Sequence, residues 1–147
     1  MTCDVTGSAG VRNATARSLL ALSTGELEAL LAEDVPMGDL TTEMLGIGET
    51  PARLIFEARQ EMVVCGSEEA AQMFELLGAE ASRTVRSGRK LNGGGLILVA
   101  EGTAGSLHRG WKAAQTIVEW ASGVATATAA IVSGAAGIPV ACTRKNV

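Results

Sequence analysis

The chain has 147 residues, of which 47% are hydrophobic and 19% are charged, and its formal net charge is −4. This length suits one globular domain of ordinary size with part of a second, and the composition is that of a folded protein rather than a disordered one. The acidic balance, without any cluster of Lys and Arg, argues against a surface that binds a row of phosphates. We therefore predict no nucleic-acid partner.

The cysteines and the apolar runs indicate a compartment. Cys3, Cys65 and Cys142 are an odd number at wide spacings, which suits neither a disulfide framework nor a zinc site and fits a reducing cytoplasm. Residues 1–17 contain no apolar core of signal-peptide length. No window reaches about 18 uninterrupted apolar residues, so we predict no membrane span. The expectation is a cytoplasmic protein.

The first part of the chain predicts a flexible extension followed by helices. Residues 1–18 are rich in Gly, Ser, Thr and Ala and give little to bury. The segment from Thr24 to Glu33 predicts a short amphipathic helix. A turn and a further helical turn follow it. The residues suited to these roles are Ser23 or Thr24 as the first N-cap, Pro36 and Gly38 in the turn, and Asp39 or Thr41 as the second N-cap.

The middle of the chain alternates strand and helix patterns. Residues 52–66 predict a strand pair or one bent strand, interrupted at residues 59–61. The segment from Ser67 to Leu77 predicts a helix with Ser67 as its cap. Between Ala79 and Gly105, short apolar runs separated by glycines predict short strands joined by tight turns. Together these elements predict an α+β fold, an α/β sandwich in which helices pack on one face of an antiparallel sheet.

A long helix is predicted in the last part of the chain. Apolar residues recur at alternating steps of four and three from Leu107 to Val132, which predicts one long helix or two in line. Gly123 weakens this helix by about 1 kcal/mol relative to Ala, so a break or a close helix contact is expected there. Two glycines and Pro139 then end the helix, and the segment from Pro139 to Thr143 predicts a strand.

Three cations are candidates for binding an anion. Arg144 and Lys145 follow the predicted last strand, and a guanidinium beside an ammonium suits a phosphate or a carboxylate. A solvated charged terminus is the alternative interpretation, and spacing alone does not exclude it. Lys112 on the long helix, near Arg109 and His108, forms either a cationic patch or a solvent-facing stripe. We assign no role to His108, the single histidine.

Several segments occur in the order seen in one enzyme family. They are Glu33-Asp34-Val35-Pro36-Met37-Gly38-Asp39-Leu40-Thr41-Thr42, Ala58-Arg59-Gln60, Gly110-Trp111-Lys112-Ala113-Ala114-Gln115, Ser122-Gly123-Val124-Ala125-Thr126 and Thr143-Arg144-Lys145-Asn146. This ordered set resembles the quinolinate phosphoribosyltransferase family, and most closely its ModD branch, which is associated with molybdenum transport operons. The resemblance covers about residues 20–147.

The resemblance implies a two-domain organisation. After the extension of residues 1–18, residues 19–106 would form the N-terminal α+β domain. Residues 107–147 would form a linking helix and the start of an α/β barrel, with residues 139–143 as its first strand. Family members are homodimers in which the N-terminal domain of one subunit closes the partner's barrel. Because only the first barrel strand is present, we expect a truncated barrel and no independent catalysis.

The resemblance also implies a reaction. The family transfers a phosphoribosyl group from phosphoribosyl pyrophosphate to a ring nitrogen of an acidic heterocycle, and Mg²⁺, whose ligands we do not expect in this segment, supports the departing pyrophosphate. Arg144 and Lys145 would bind the acidic substrate. Lys112 stands where quinolinate enzymes carry an arginine that reaches the neighbouring subunit's site. A lysine replaces a two-pronged clamp with a point charge, which argues against quinolinate as the acceptor.

Two other classes of protein remain as alternatives. A non-catalytic fragment would pair the apolar face of its long helix with a second copy. The glycine-punctuated strands from Val85 to Gly102 also resemble the barrel-sandwich pattern of lipoyl and biotinyl binding modules. Such modules display a lysine at a hairpin tip, and Lys90 is the candidate for that lysine.

Overall fold

The computed structural model describes residues 20–141 of the chain. The predicted extension, residues 1–18, lies outside the described residues. The helices are α1 (Thr24–Asp34), α2 (Leu40–Leu45), α3 (Ser67–Leu76) and α4 (Ala104–Gly134). The strands are β1 (Pro51–Glu57), β2 (Met62–Val63), β3 (Glu80–Arg83), β4 (Lys90–Leu91) and β5 (Leu96–Thr103).

Three of the strands form an antiparallel sheet in the order β1, β5, β3, so β5 is central. Leu54 of β1 lies opposite Ala100 of β5, and Ala81 of β3 lies opposite the same residue from the other side. The strands β2 and β4 pair in a separate two-stranded ribbon. Residues 52–66 therefore contribute two strands, which pair with β5 and β4 and not with each other.

The helices α3 and α4 pack against one face of the three-stranded sheet. Phe56 of β1 meets Phe74 of α3 edge to face, with ring centroids 6.0 Å apart and an angle of 73° between the rings. The core between the layers includes Leu27, Val64, Met73, Phe74, Leu98, Leu107, Ala114 and Val118. Helices on one face of an antiparallel sheet confirm the predicted α+β fold.

Side-chain caps set the starts of α1 and α2. The Oγ of Ser23 accepts a hydrogen bond from the backbone N–H of Glu26 at 3.4 Å, and Oε2 of Glu26 accepts one from the N–H of Ser23 at 2.8 Å. The Oδ1 of Asp39 accepts a hydrogen bond from the N–H of Thr42 at 3.2 Å. Each cap satisfies N–H groups that the first helical turn leaves unpaired. Ser23 and Asp39 are thus confirmed as cap residues.

The start of α3 differs from the prediction. Gly66, with a φ of +83°, is the N-cap, and Ser67 is the buried first residue of the helix. The hydroxyl of Ser67 donates to the carbonyl oxygen of Val85 at 2.9 Å instead of capping the helix. A Cβ at position 66 would lie 2.9 Å from Cγ2 of Ile117 on α4. The prediction of Ser67 as the cap is wrong because the close approach of α4 selects a left-handed glycine there.

Helix α4 is continuous over 31 residues, beginning at Ala104 with Thr103 as its N-cap. The break or close contact predicted at Gly123 is wrong. The helix continues through this residue, and a Cβ added there would meet no described neighbour within 4 Å. The close helix contact lies instead at Gly110, where an added Cβ would come within 2.6 Å of Cδ1 of Leu77.

The chain after α4 does not form the predicted strand over residues 139–141. The helix ends at Gly134, and Gly137 follows with a φ of +91°. Residues 139–141 are exposed and pair with no strand among residues 20–141, so the prediction is wrong over this stretch. A strand needs a hydrogen-bonded neighbour, and no strand within residues 20–141 pairs with residues 139–141. Residues 142–143 lie outside the described part, and the domain division between residues 106 and 107 stays a prediction.

Helix α4 is also the one helix within residues 20–141 that is long and apolar enough to cross a membrane, by length and composition only. Its first half is part of the domain core, where Leu107, Ala114 and Val118 are buried. The helix contacts α1, α3 and β1, among other elements. Because core helices of globular domains pass the same test, we interpret α4 as a core helix whose last turns are exposed.

Candidate functional site

A cavity of 840 Å³ lies between β1 and α4. Seven consecutive residues, Leu54 to Gln60, line one side of it. One face of α4 lines the other side, at steps of three and four residues. This face comprises Trp111, Gln115, Val118, Ser122, Thr126 and Ala130, with further residues beside them. The volume falls in the range of small-molecule sites, about 300 to 1,000 Å³.

The side chain of Gln115 is the unusual polar group in the cavity wall. Its Nε2 donates a hydrogen bond to Oε1 of Glu119 at 2.7 Å, which fixes the orientation of the amide. Its Oε1 is buried and has no hydrogen-bond partner among residues 20–141. An unpaired buried carbonyl costs about 1 to 3 kcal/mol. The hydrogen bonding of the cavity wall is therefore incomplete at Oε1 of Gln115 within the described residues.

The hydroxyls of Ser122 and Thr126 bind the ribbon that contains β2. The Oγ of Ser122 accepts a hydrogen bond from the backbone N–H of Cys65 at 2.9 Å, and Oγ1 of Thr126 accepts one from the N–H of Val63 at 2.9 Å. The segment from Ser122 to Thr126 therefore has a structural role, which is to hold this ribbon against α4. The signal that sequence reasoning missed is a pair of hydroxyls one turn apart on an apolar helix.

Lys112 is exposed on α4 and does not line the cavity. Its Nζ lies 5.5 Å from the ring centroid of Trp111, a cation–π distance, and Trp111 itself is half exposed and does line the cavity. Lys112 forms no ion pair within residues 20–141. Arg144 and Lys145 lie outside the described residues, so their grouping with Lys112 stays a prediction.

Asp39, Thr42 and His108 form a hydrogen-bonded link between α2 and α4. The hydroxyl of buried Thr42 donates to Oδ2 of Asp39. Nδ1 of His108 lies 2.8 Å from the same hydroxyl oxygen and 3.4 Å from Oδ2 of Asp39. Because the hydroxyl proton is used toward Asp39, Nδ1 of His108 is the donor to Thr42. The single histidine, to which no role was assigned, thus ties the two helices together.

The same contacts shift the titration of Asp39. The hydrogen bond from the Thr42 hydroxyl is the main cause that lowers the pKa of the Asp39 carboxyl below its ordinary value. Partial burial acts in the opposite direction, and the Thr42 N–H and His108 lower the pKa further. Asp39 is therefore held as a carboxylate and acts as a fixed acceptor rather than as a proton carrier.

Glu68 joins α3 to the loop that precedes β4. Nη1 of Arg83 donates to its Oε1 at 2.9 Å, and Oγ of Ser87 donates to its Oε2 at 2.5 Å. Burial raises the pKa of Glu68, but the hydrogen bonds from Ser87, Ser67 and the backbone together lower it by more, so the net shift is downward. We interpret this cluster as structural because it joins α3, the end of β3 and the loop through hydrogen bonds to one carboxylate.

Within residues 20–141, no group of three or more His, Cys, Asp or Glu side chains is placed to hold a metal ion. The Mg²⁺ that the resemblance implies therefore finds no set of ligands in this part of the chain, and its binding stays a prediction.

Comparison with known proteins identifies relatives of the chain. Residues 39–122 match the family described as quinolinate phosphoribosyl transferase, N-terminal domain. The Rhodobacter capsulatus protein ModD, named as a pyrophosphorylase, is 48% identical over 125 residues, which cover 82% of this chain and 48% of ModD. A Methanocaldococcus jannaschii protein named as a nicotinate-nucleotide pyrophosphorylase (carboxylating) is 31% identical over 124 residues, which cover 82% of this chain and 43% of the relative.

A solved structure shares the fold. NadC from Streptococcus pyogenes matches with a TM-score of 0.73 and 24% identity, over 81% of this chain and 45% of NadC. The antiparallel sheet with its covering helices and the long helix α4 is thus the N-terminal fold of this class of protein. With the sequence match over residues 39–122, the chain belongs to the quinolinate phosphoribosyltransferase family. It spans about half the length of the curated relatives it matches.

Proposed function

We propose that the chain is the N-terminal half of a phosphoribosyl-transferring pyrophosphorylase of the ModD type. The match of residues 39–122 to the N-terminal domain of the family carries this proposal. The reaction would transfer a phosphoribosyl group from phosphoribosyl pyrophosphate to a ring nitrogen of an acidic heterocycle and release pyrophosphate. The protein would act as a cytoplasmic homodimer, with a place in molybdenum metabolism that follows from the ModD branch.

In this proposal, Lys112 acts on the site of a neighbouring subunit. Its ammonium is exposed and forms no ion pair within residues 20–141, so it is available to an anion from outside the domain. Arg144 and Lys145 would bind the acidic substrate from the barrel side. Oriented cations suit a reaction in which negative charge builds up on a departing pyrophosphate. The Mg²⁺ that supports this charge would be held outside the described residues.

A second candidate function is a fragment that dimerises without catalysing a reaction by itself, and the exposed end of α4 is the surface that would form the dimer. Trp120 is 71% exposed, Ile131 is 63% exposed and Val124 is 50% exposed, all on the second half of α4. Such a stripe is typical of a surface that another protein segment covers. This second candidate differs from the first only in activity, and both predict a homodimer.

The lipoyl or biotinyl alternative is wrong. Lys90 lies within β4, opposite Val63 of β2, and its Nζ is 3.9 Å from Oε1 of Glu61. A carrier lysine has to stand at the tip of a hairpin, where an enzyme can reach it, and β4 is instead one side of the small ribbon.

A fusion protein tests the proposed function. Residues 1–147 are joined to the part of the R. capsulatus relative that follows its matched half, and pyrophosphate release is measured with phosphoribosyl pyrophosphate and a panel of acidic heterocycles. We expect release by the fusion, no release by the 147-residue chain alone, and weak use of quinolinate, because Lys112 offers only a point charge.

Two variants of the fusion test the residue assigned to the site. Lys112→Ala is expected to lower kcat/KM by about tenfold or more, since it removes a charge-assisted contact with the substrate. Lys90→Ala, an exposed lysine of the ribbon, is the matched control and is expected to leave kcat/KM unchanged. A folded fusion that releases no pyrophosphate with any acceptor would contradict the proposal.

A further inference from the structure

The imidazole of His108, the single histidine of the chain, is held through one of its two nitrogens. Oδ2 of Asp39 accepts the hydroxyl proton of Thr42, and the oxygen of that hydroxyl accepts the N–H at Nδ1 of His108 at 2.8 Å. The hydrogen bond that one ring nitrogen makes decides which nitrogen carries the proton. A neutral His108 therefore carries its proton on Nδ1 and a lone pair on Nε2.

The rest of the ring is open to solvent. The side chain of His108 is 47% exposed, whereas that of Asp39, which it contacts, is 19% exposed. Nε2 is the ring nitrogen farther from the backbone, and it takes part in no hydrogen bond among residues 20–141. Proteins anchor a histidine through one nitrogen in this way when the other nitrogen binds a ligand. His108 therefore presents an oriented hydrogen-bond acceptor on the surface of α4.

His108 lies one helical turn before Lys112 on α4. Residues four apart on a helix share a face, with Cβ atoms about 5 to 6 Å apart. Both side chains are exposed. Gly110, midway between them, faces the end of α3 on the opposite side, where an added Cβ would come within 2.6 Å of Cδ1 of Leu77. An oriented acceptor and a cation thus lie side by side on the outer face of α4.

These two groups suit a ligand that combines an anionic group with a hydrogen-bond donor. An ammonium binds a carboxylate, and an imidazole nitrogen with a lone pair accepts an N–H. Quinolinate at neutral pH is a pyridine dicarboxylate without an N–H or O–H to donate. A heterocycle that has a carboxylate and an N–H, in the ring or on an amino group, matches both His108 and Lys112.

We propose that Nε2 of His108 accepts a hydrogen bond from the acceptor heterocycle in the site that Lys112 serves, and thereby selects acidic heterocycles that carry an N–H group. This inference rests on the proposed function, which places Lys112 at the acidic substrate. Asp39 and Thr42 are positioning residues, since they act on the substrate through the imidazole. A heterocycle without a donor would leave Nε2 unpaired, which is a second reason, besides Lys112, for weak use of quinolinate.

The tautomer of His108 is measured first, by NMR of the imidazole nitrogens in the 147-residue chain prepared without a histidine tag. The signals need no assignment, because the chain has one histidine. In mildly alkaline solution, where an imidazole carries a single proton, we expect this proton on Nδ1. A proton on Nε2 would make that nitrogen unable to accept a hydrogen bond and would overturn the inference.

Selection is tested with the fusion protein and two acceptors added to the panel of acidic heterocycles. They are the amino and methyl derivatives of nicotinate, substituted at the free β carbon of the pyridine ring. The two have the same carboxylate and nearly the same shape, but only the amino compound donates an N–H. We expect kcat/KM to be about three- to tenfold higher with the amino compound, the effect of one hydrogen bond. Release only with acceptors that lack a donor would overturn the inference.

His108→Asn separates the binding role of His108 from its structural role. The asparagine amide keeps an N–H near the place of Nδ1, so the tie to Thr42 persists, and it removes Nε2. We expect kcat/KM to fall about three- to tenfold for acceptors that carry an N–H and to stay unchanged for those that do not. A purely structural role would lower both alike, and that result, or no change with either class, would overturn the inference.

Thr42 tests the positioning of the ring. Thr42→Val removes the acceptor for Nδ1 of His108, whereas Thr42→Ser keeps a hydroxyl there. We expect the valine variant to lose the preference for N–H acceptors and to show both tautomers by NMR, and the serine variant to retain the preference and the single tautomer. Full preference in Thr42→Val would contradict the positioning role.

Failure of the inference and failure of the proposed function give different results. A folded fusion that releases no pyrophosphate with any acceptor contradicts the proposed function, and the inference falls with it. An active fusion in which His108→Asn has the same kcat/KM as the unaltered protein for every acceptor overturns the inference alone.

Discussion

At the scale of single residues, the link between Asp39, Thr42 and His108 explains why a polar cluster lies at the start of two helices. Thr42 is 2% exposed, yet its hydroxyl is fully used, with the carboxylate on one side and the imidazole on the other. Buried polar groups are tolerated when each has a partner. The cluster therefore stabilises the position of α2 on α4.

The lowered pKa of Asp39 predicts a pH dependence. A carboxyl whose folded pKa is depressed contributes stability above its unfolded pKa, near the ordinary value of 3.8, and loses this contribution as the pH falls through the folded pKa. Thr42→Val removes the main cause of the shift. We expect this variant to be less stable than the unaltered chain near neutral pH, and the difference to shrink as the solution becomes more acidic than the ordinary pKa. Urea unfolding at a series of pH values measures it.

The exposed neighbour Thr41 supplies the control for this prediction. Thr41→Val is expected to change stability little, and by the same amount at each pH, because its hydroxyl takes no part in the cluster. A difference between Thr42→Val and the unaltered chain that stays constant from neutral to acidic pH would show that the carboxylate of Asp39 is not involved.

Gly66 tests the close approach of α4 to the start of α3. Gly66→Ala places a methyl group 2.9 Å from Ile117 in a residue with a φ of +83°. We expect a loss of about 1 to 3 kcal/mol, from backbone strain and from overpacking against α4. Gly78→Ala is the matched control, since Gly78 has a φ of +82° and an added Cβ meets nothing within 4 Å. Equal losses for the two variants, measured by urea unfolding, would contradict the close approach of α4.

At the scale of elements, Ser122 tests how α4 holds the ribbon of β2 and β4. Ser122 is buried, and Ser122→Ala leaves the part-buried N–H of Cys65 without its acceptor. The expected loss is about 1 to 3 kcal/mol of unfolding free energy, the cost of an unsatisfied buried group. Ser133→Ala, at an exposed position of the same helix, is the control and is expected to stay within about 0.5 kcal/mol. Similar stability of the two variants would argue against this role.

The elements with local signals were predictable from the sequence. These signals are the Ser23 cap, the Asp39 cap and the periodic apolar residues of α4. Each of them involves residues within one or two helical turns, so a local sequence pattern predicts it. The assignments that failed depend on packing between elements. Gly66 and Gly110 lie where α4 packs closely against α3 and its end, so neither position has room for a side chain. Gly123 has that room, and no local sequence pattern distinguishes it from the other two.

The candidate site was less predictable than the fold. The sequence indicated Lys112 as a cation on the long helix, and the structure places it in solvent beside Trp111. The cavity lies between β1 and α4, which are far apart in the sequence, so its two walls carry no common signal. The partner of His108 was missed for the same reason, since Thr42 lies 66 residues away.

At the scale of the whole molecule, two kinds of exposed surface lie along α4. Lys112 offers a cation that forms no ion pair within residues 20–141, and the second half of α4 offers exposed apolar side chains. Exposed apolar side chains suit a contact with another protein segment, and an exposed cation suits an anion. The chain spans about half the length of the curated relatives it matches. The proposed function assigns Lys112 to the site of a second subunit.

A mixture of two weakened variants of the fusion protein tests whether Lys112 serves the partner's site. Lys112→Ala and Arg144→Ala each remove one cation from every site of their own homodimer. If Lys112 serves the partner's site, a mixed dimer contains one site with both cations intact, and an equal mixture that is allowed to exchange subunits recovers about a quarter of the unaltered activity. Pyrophosphate release by the mixture at that level is the predicted result. Release no higher than that of the separate variants would contradict the account.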